Sequence, residues 1–226
     1  MVKILTIGAA VQDVFLSHSP EFKPVTDVPA HEVFMKLDLG AKADVNNINF
    51  STGGGATNAA VTFARNGLEA EFMGTIGHDP AGAAVLADLD KEGVDTTHIS
   101  YSEKYNTGYS VLLLAPNGER TILTYRGAST HYDVKNFNLD GSNADWIYVS
   151  SMAGNMDILD KIFTQAKKLG IKVFFNPGKD ELKQVSKIKT LLEARLTKRE
   201  GRRQFCLSRK RLWRILLLLG RSSGGS

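Results

Sequence analysis

The sequence predicts an α/β fold with a mostly parallel central sheet and a second, smaller sheet. Short apolar segments that suit buried strands alternate with segments of helical length over most of residues 1–194. Strand-like segments at residues 33–38 and 47–51, and at residues 109–114 and 121–125, have no helix between them. Strands of a parallel sheet are joined by crossover segments, so we expect these four to form the separate small sheet.

The remaining elements follow from the apolar pattern and from residues that start and stop helices. Residues 3–8 are a mostly apolar run that ends in glycine, which is typical of a buried parallel strand. Asp79 and Pro80 open an alanine-rich helix as N-cap and first helical residue, and Gly93 ends it. The Pro-Asn-Gly sequence at residues 116–118 marks a hairpin turn. The pattern also predicts helices at residues 57–66, 156–169 and 180–193, and strands at residues 71–76, 146–150 and 171–175.

Charge is divided unevenly along the chain. The formal net charge of the 226 residues is +4, yet residues 195–226 alone contain ten Lys or Arg and one acidic residue. The body therefore carries 18 basic and 23 acidic side chains, which does not favour nucleic acid as a partner. We predict a domain at residues 1–194 and a basic tail at residues 195–226 that is disordered or non-native.

Composition and the length of apolar runs also bear on the cellular location of the protein and on the kinds of binding site it can contain. The single cysteine, Cys206, excludes a disulfide within the chain, and the five histidines have no metal-ligand spacing. The first strand is too short for a signal-peptide core, and the longest apolar runs are well short of the roughly 20 residues of a membrane helix. We expect a cytoplasmic protein with no metal site and no membrane partner.

A glycine-rich loop is the most informative feature of the chain. Gly53, Gly54 and Gly55, here called the glycine loop, run directly into a helical segment whose first turn contains Asn58. Glycine has no Cβ and accepts positive φ, and the following helix N-terminus offers N–H groups without intrahelical partners. The Asn58 amide can both donate to and accept from a hydroxylated ligand. The pattern predicts a binding loop for a small polar molecule.

The fixed positions of this region extend over 25 residues and are Gly53, Gly54, Gly55, Asn58, Ala60, Gly67 and Gly77. Their spacing resembles the first signature of the ribokinase-like, PfkB-type carbohydrate kinases, and the resemblance covers about residues 1–190. It implies a three-layer fold with a small β-sheet lid, whose strands fall at about residues 31–51 and 107–126. It further implies ATP-dependent phosphorylation of a sugar hydroxymethyl group with Mg²⁺, and possible homodimers through the lid sheet.

The resemblance also implies roles for residues of the glycine loop and its surroundings. Asp13, which follows the first strand, matches the position whose carboxylate accepts hydrogen bonds from sugar hydroxyls. Gly54, Gly55 and Asn58, together with Gly53, match positions that hold the other hydroxyls. Taken alone, Asp13 would be interpreted as a helix cap or a loop carboxylate.

Two further residues have an alternative interpretation of equal or greater weight. Arg126 follows the predicted hairpin and could bind an anionic ligand group through both guanidinium nitrogens, or be a solvated charge. Asn176 follows a buried strand and could line the phosphate end of the site, or belong to a plain turn.

The catalytic half of the family pattern has no match. Members of the family carry a second signature, Asp-Thr-x-Gly-Ala-Gly-Asp, whose glycines form an anion hole and whose last aspartate is the catalytic base. The one Asp-Thr pair here, Asp95-Thr96, is followed by no glycines. We therefore assign no catalytic residue and expect a C-terminally truncated, inactive chain, with ATP and Mg²⁺ implied by the resemblance alone. A non-catalytic sugar-binding module and a nucleoside kinase of the same fold are the alternatives.

The change of composition near the end of the body has two explanations. Eight of the eleven arginines lie after residue 194, which favours a departure from the family reading frame near residues 192–198. Translation of the downstream DNA in the other frames tests this hypothesis, since it should reveal the missing glycine-rich signature. The alternative is a genuine basic, leucine-bearing segment that binds an anionic membrane or a partner.

The sugar itself is not determined by these residues. At the end of the strand that starts at Trp146, the chain has Ser150, Ser151, Met152 and Ala153, with no carboxylate where ribokinases tend to place a glutamate. This weakens a ribose assignment and leaves fructose-type, ketodeoxy-acid and nucleoside substrates open.

Overall fold

The computed structural model describes residues 1–27, 32–195 and 205–207. In chain order the strands are Lys3–Ile7 (β1), Val11–Ser17 (β2), Pro24–Asp27 (β3), Glu32–Met35 (β4), Asn47–Gly53 (β5), Glu69–Gly77 (β6), Asp95–Ser102 (β7), Gly108–Leu114 (β8), Arg120–Tyr125 (β9), Trp146–Val149 (β10), Lys172–Phe175 (β11) and Phe205–Leu207 (β12). The α-helices are Gly55–Arg65 (α1), Pro80–Lys91 (α2), Met156–Leu169 (α3), Lys179–Leu182 (α4) and Val185–Arg195 (α5). Short 3₁₀ helices cover Gly127–Thr130 and Val134–Asn136.

The central sheet is parallel and has the strand order β12-β11-β10-β1-β6-β7. β1 and β6 are buried on both faces, since successive side chains of each strand point to opposite sides and nearly all of them are buried. Leu5 and Ile7 of β1 pack in a cluster with α3 and α5, whereas Ile4 and Phe72 pack in a second cluster with α1 and α2. This three-layer arrangement confirms the predicted α/β fold.

The smaller sheet has the order β5-β2-β8-β9 and stands at the carboxyl edge of the central sheet. Its second strand, β2, runs antiparallel to β5 and parallel to β8, and β8 and β9 form the predicted hairpin. β2 and β7 are absent from the elements predicted from the sequence. Residues 33–38 were expected in this sheet, but β4 pairs with β3 in a separate two-stranded ribbon. A short strand gains its hydrogen bonds from distant segments, so its local pattern is a weak signal.

Other predicted elements differ at their ends or in continuity. The helix expected at residues 180–193 is divided into α4 and α5. Within the predicted tail, β12 pairs in parallel with β11, while residues 196–204 and 208–226 lie outside the described residues, as does residue 31 of the expected lid. In the part of the chain that is described, none of the helices has the length and apolar character needed to cross a membrane.

Helix α2 joins the smaller sheet to the core. Its N-cap, Asp79, accepts hydrogen bonds from the N–H groups of Gly82 at 2.9 Å and Thr107 at 2.6 Å. Partial burial opposes ionisation of Asp79, but these hydrogen bonds outweigh it and lower the pKa of the carboxyl. Thr107 lies directly before β8, and its hydroxyl accepts the N–H of Gly77 at 2.9 Å. The start of β8 is therefore fixed to the end of β6 and to α2.

Candidate functional site

The glycine loop lies where β5 passes into α1, beside the carboxyl ends of β1 and β10. Gly54 has φ 114°, a conformation that favours glycine, and a Cβ at this position would collide with the backbone carbonyl of Ala9. A Cβ on Gly55 would lie 3.1 Å from the hydroxyl oxygen of the buried Ser150, which follows β10. The loop needs glycine because other parts of the protein occupy the space of a side chain.

Asp13 follows β1, as the sequence indicated, and lies within β2, a strand that the sequence pattern did not predict. The register of β2 with β5 and β8 places Ser51 and Ser110 on either side of it. Its carboxylate lies against Gly53, where a Cβ would overlap the carboxylate oxygen. Burial raises the pKa of Asp13, and a hydrogen bond from the Ser110 hydroxyl partly offsets that rise. The structure thus brings Asp13 and the glycine loop into direct contact.

Asn58 is the fourth residue of α1, one turn after the glycine loop. Its N–H donates to the carbonyl of Gly54 at 3.0 Å, and its own carbonyl accepts the hydroxyl of Thr62 at 2.7 Å. The residue is exposed. Its side-chain amide can therefore meet a ligand at the edge where the glycine loop and Asp13 lie.

The structure does not bring Arg126 and Asn176 into this contact. Arg126 is exposed before the first 3₁₀ helix, and its charge helps to lower the pKa of Asp180, after the larger effect of the hydrogen bond from Lys183. The Asn176 side-chain amide donates to the Tyr148 hydroxyl at 3.0 Å, which links the ends of β10 and β11. Asn176 thus has a role within the sheet that its sequence context did not indicate.

A buried carboxylate that the sequence did not single out organises the loops after β10 and β11. Glu181, in α4, is fully buried. One carboxylate oxygen accepts the N–H groups of Met152 at 2.8 Å and Gly154 at 2.7 Å. The other accepts the Ser151 hydroxyl at 2.8 Å and the N–H of Gly178 at 2.7 Å. An acidic residue in the first turn of a helix is ordinary in sequence, so only the fold reveals these distant donors.

The Asp-Thr pair considered for the second signature is remote from this edge. Asp95 and Thr96 begin β7, and the amino ends of parallel strands lie at the opposite edge of the sheet. Asp95 accepts the N–H of Thr97 at 2.8 Å. Across residues 1–27, 32–195 and 205–207, no group of three or more His, Cys, Asp or Glu side chains is placed to hold a metal ion.

Comparison with known proteins identifies the family. The family model of the pfkB family carbohydrate kinases, which describes the sequences of that family, matches residues 31–196 of this chain. The chain belongs to this family. The match includes the glycine loop, Asn58 and both strands of the predicted hairpin, so the PfkB resemblance of the sequence is confirmed.

Individual relatives agree with this family. A ribokinase from Haemophilus influenzae is 29% identical over 137 residues, which are 58% of this chain and 44% of the relative. This PfkB-family chain spans about half the length of the curated relatives it matches. The whole-protein activity of those relatives is therefore a proposal for this chain and not a finding.

Solved structures show the same fold. A fructokinase from Xylella fastidiosa has a TM-score of 0.68 and 20% identity, covering 97% of this chain and 66% of its own. A ribokinase from Cryptococcus neoformans var. grubii serotype A, in complex with ADP, has a TM-score of 0.59 and 23% identity, covering 79% and 50%. At these identities the likeness establishes the ribokinase-like architecture.

We expect Glu181→Gln to destabilise the PfkB-family domain by about 2–4 kcal/mol, measured as the free energy of unfolding in urea. The amide keeps one acceptor oxygen, but its NH₂ group faces two donors that then lack an acceptor. The matched control is Asp180→Asn, which changes the preceding, more exposed carboxylate, which forms an ion pair with Lys183. Equal stability of the two variants would contradict a structural role for Glu181.

Proposed function

We propose that residues 1–194 form the sugar-binding part of a PfkB-family carbohydrate kinase. The cradle consists of Asp13, the glycine loop and Asn58. The observation that carries the proposal is the half-buried Asp13 carboxylate, which lies against Gly53 at the carboxyl edge of the sheet. Ligands of open α/β sheets bind outside that edge.

The chemistry of this cradle suits a hydroxylated ligand. Burial without full compensation raises the pKa of Asp13, so the carboxylate gains when a ligand hydroxyl donates to it. Hydrogen bonds to an ionised acceptor are about twice as strong as neutral ones. The exposed Asn58 amide supplies a donor and an acceptor on the same side, which together can orient a ring with several hydroxyls.

The family reaction, phosphoryl transfer from ATP to a sugar hydroxymethyl group, needs more than this cradle. It requires an anion hole, Mg²⁺ and a base at the attacking hydroxyl. The residues that the resemblance assigns to these tasks belong to the second signature, which has no match in the sequence. For this chain we therefore propose sugar binding, with ATP and Mg²⁺ as cofactors of the family reaction.

The class of sugar is open between fructose-type, ketodeoxy-acid and nucleoside ligands, with ribose disfavoured. Ser150 packs on the glycine loop, and neither it nor the three residues after it supplies the carboxylate that the resemblance associates with ribose. A non-catalytic sugar-binding module is the second candidate function, favoured by the missing second signature.

We expect a member of a panel of D-ribose, D-fructose, 2-keto-3-deoxygluconate and adenosine to raise the melting temperature of the full 226-residue chain. Differential scanning fluorimetry measures the shift, and Asp13→Asn should abolish it, because the amide removes the charged acceptor. We expect no ADP release in a coupled assay with the same ligands. Lack of a shift with the entire panel would refute sugar binding, and ADP release would refute the restriction to binding.

We expect Asp13→Asn to leave the free energy of unfolding at pH 7 equal to or above that of the wild type. Folding raises the pKa of Asp13, so the ionised carboxylate is a cost in the folded state above that pKa. The cost disappears as pH falls through the raised value towards the unfolded pKa of about 3.9. The advantage of the variant should therefore shrink on acidification, as urea unfolding at several pH values measures. A less stable variant at pH 7 would show that Asp13 is structural.

We also propose that residues 1–194 are the family domain and that the basic tail begins after them, with β12 of the tail pairing on β11 of the domain's central sheet. The family match, which ends at residue 196, supports this boundary.

We propose that two copies associate through the smaller sheet. Its register places Ile48 and Phe50 of β5 on the same face as Leu123 and Tyr125 of β9, and each of the four is more than half exposed. Exposed apolar faces of this kind mark interaction sites.

Light scattering after gel filtration should give twice the chain mass of 24.7 kDa. We expect Phe50→Glu with Leu123→Glu to give the single mass, because charges on both edge strands oppose burial of this face. A wild-type chain that elutes at the single mass at all concentrations would contradict the proposal.

A further inference from the structure

Helix α2 holds the end of β5 through one carboxylate. Asp88 is half-buried, and its Oδ2 accepts both the N–H of Thr52, at 3.1 Å, and the Thr52 hydroxyl, at 2.7 Å. Thr52 directly precedes Gly53, the first residue of the glycine loop. Thr52, which Asp88 binds, is therefore adjacent in the chain to Gly53, the glycine that lies against the Asp13 carboxylate.

The position of β5 explains why this contact matters. In the described part of the smaller sheet, β5 is an edge strand that pairs with β2 alone. The N–H groups on its outer side therefore have no strand partner among the described residues, and they need other acceptors. Asp88 supplies an acceptor for the outer N–H of Thr52, and so fixes the backbone of β5 directly before the glycine loop.

The same contact bears on Asp13 across the sheet. Thr52 lies opposite Gln12, which precedes Asp13 in β2. The buried Gln12 side chain donates to the carbonyl of Ser51 at 2.9 Å, which adds a second link between the two strands at this level. A shift of Thr52 would therefore change the distance between Gly53 and the Asp13 carboxylate.

The other strand beside β2 is held from the same helix. Asp79 accepts the N–H of Thr107, directly before β8, while Asp88 accepts that of Thr52 at the end of β5. Both neighbours of β2 are thus tied to α2 at the end of the sheet where Asp13 lies. The N-cap of α2 and one carboxylate within the helix bind the backbone on both sides of β2.

We propose that Asp88 is a positioning residue of the sugar cradle, holding Thr52 so that the glycine loop keeps its contact with Asp13. This inference rests on the proposed sugar-binding function. If Asp88 only stabilised the fold, its replacement would change the melting temperature alone. Replacement of a positioning residue also changes the geometry of the cradle and its affinity for sugar.

The test compares Asp88→Ala with variants that keep the contact or never made it. Asp88→Asn retains an oxygen that can accept both Thr52 donors, and Asp90→Ala changes an exposed carboxylate on the same helix. Thr52→Val removes the hydroxyl without changing the shape of the side chain, and Thr52→Ser restores the hydroxyl. All are made in the full 226-residue chain.

Two readouts are taken at a temperature where each variant is folded by circular dichroism. The first is the set of backbone amide signals of Gly53, Gly54 and Gly55 in a ¹⁵N–¹H correlation spectrum. The second is the dissociation constant, by calorimetry, for the panel sugar that stabilises the wild type. The first readout needs no ligand, so it judges the role of Asp88 even if sugar binding fails.

We expect Asp88→Ala and Thr52→Val to move the three amide signals, and Asp88→Ala to weaken sugar binding about tenfold, the equivalent of one hydrogen bond to a charged group. The dissociation constant for the sugar should stay within about twofold of the wild-type value in Asp88→Asn, Thr52→Ser and Asp90→Ala. Unchanged amide signals in Asp88→Ala, or in Thr52→Val should Asp88→Ala not fold, would overturn the inference. A wild type that binds no panel sugar would refute the proposed function, and the amide signals would still decide whether Asp88 positions the loop.

Discussion

Close packing of the glycine loop against the carboxyl edge of the central sheet is the constraint on which the rest of the site depends. Each glycine gives its side-chain space to a different neighbour: Gly53 to the Asp13 carboxylate, Gly54 to the carbonyl of Ala9, and Gly55 to Ser150. The demand is strictest at Gly54, which has φ 114° and where a Cβ would collide with backbone. The Asp13 and Ser150 side chains can approach the loop closely because Gly53 and Gly55 have no Cβ.

Irregular backbone around this edge is held by carboxylates from neighbouring elements. Asp79 and Asp88 extend from α2 to the strands beside β2, and Glu181 holds the loops after β10 and β11. Buried N–H groups outside helices and sheets need acceptors, and an ionised carboxylate can accept several at once. The backbone at this edge is thus tied by side chains that are not part of the proposed sugar cradle. Ser151, which Glu181 binds, follows Ser150, whose side chain packs on the glycine loop.

Local pattern was sufficient for the elements that bury a continuous apolar face. β1, β10 and α3 were predicted within a residue or two because their apolar spacing and terminal residues agree with their final state. β2 has three polar residues among seven and β7 is mostly polar, and both acquire their hydrogen bonds from other segments of the chain. The same reason explains why no strand was predicted around Asp13: these seven residues become a strand only between β5 and β8.

Amino-acid order was enough to establish the α/β class, the glycine loop and the PfkB resemblance. It also named Asp13 and Asn58 as candidate site residues. Each of these inferences depends on residue type and spacing along the chain. Tertiary structure decided which atoms those residues meet. Asp88 and Asp90 look alike in the sequence, yet one accepts two hydrogen bonds beside the glycine loop and the other faces solvent. Glu181 likewise looks like an ordinary acidic residue at a helix start and proves to be fully buried. The difference arises because hydrogen-bond partners come from segments that only folding brings within reach.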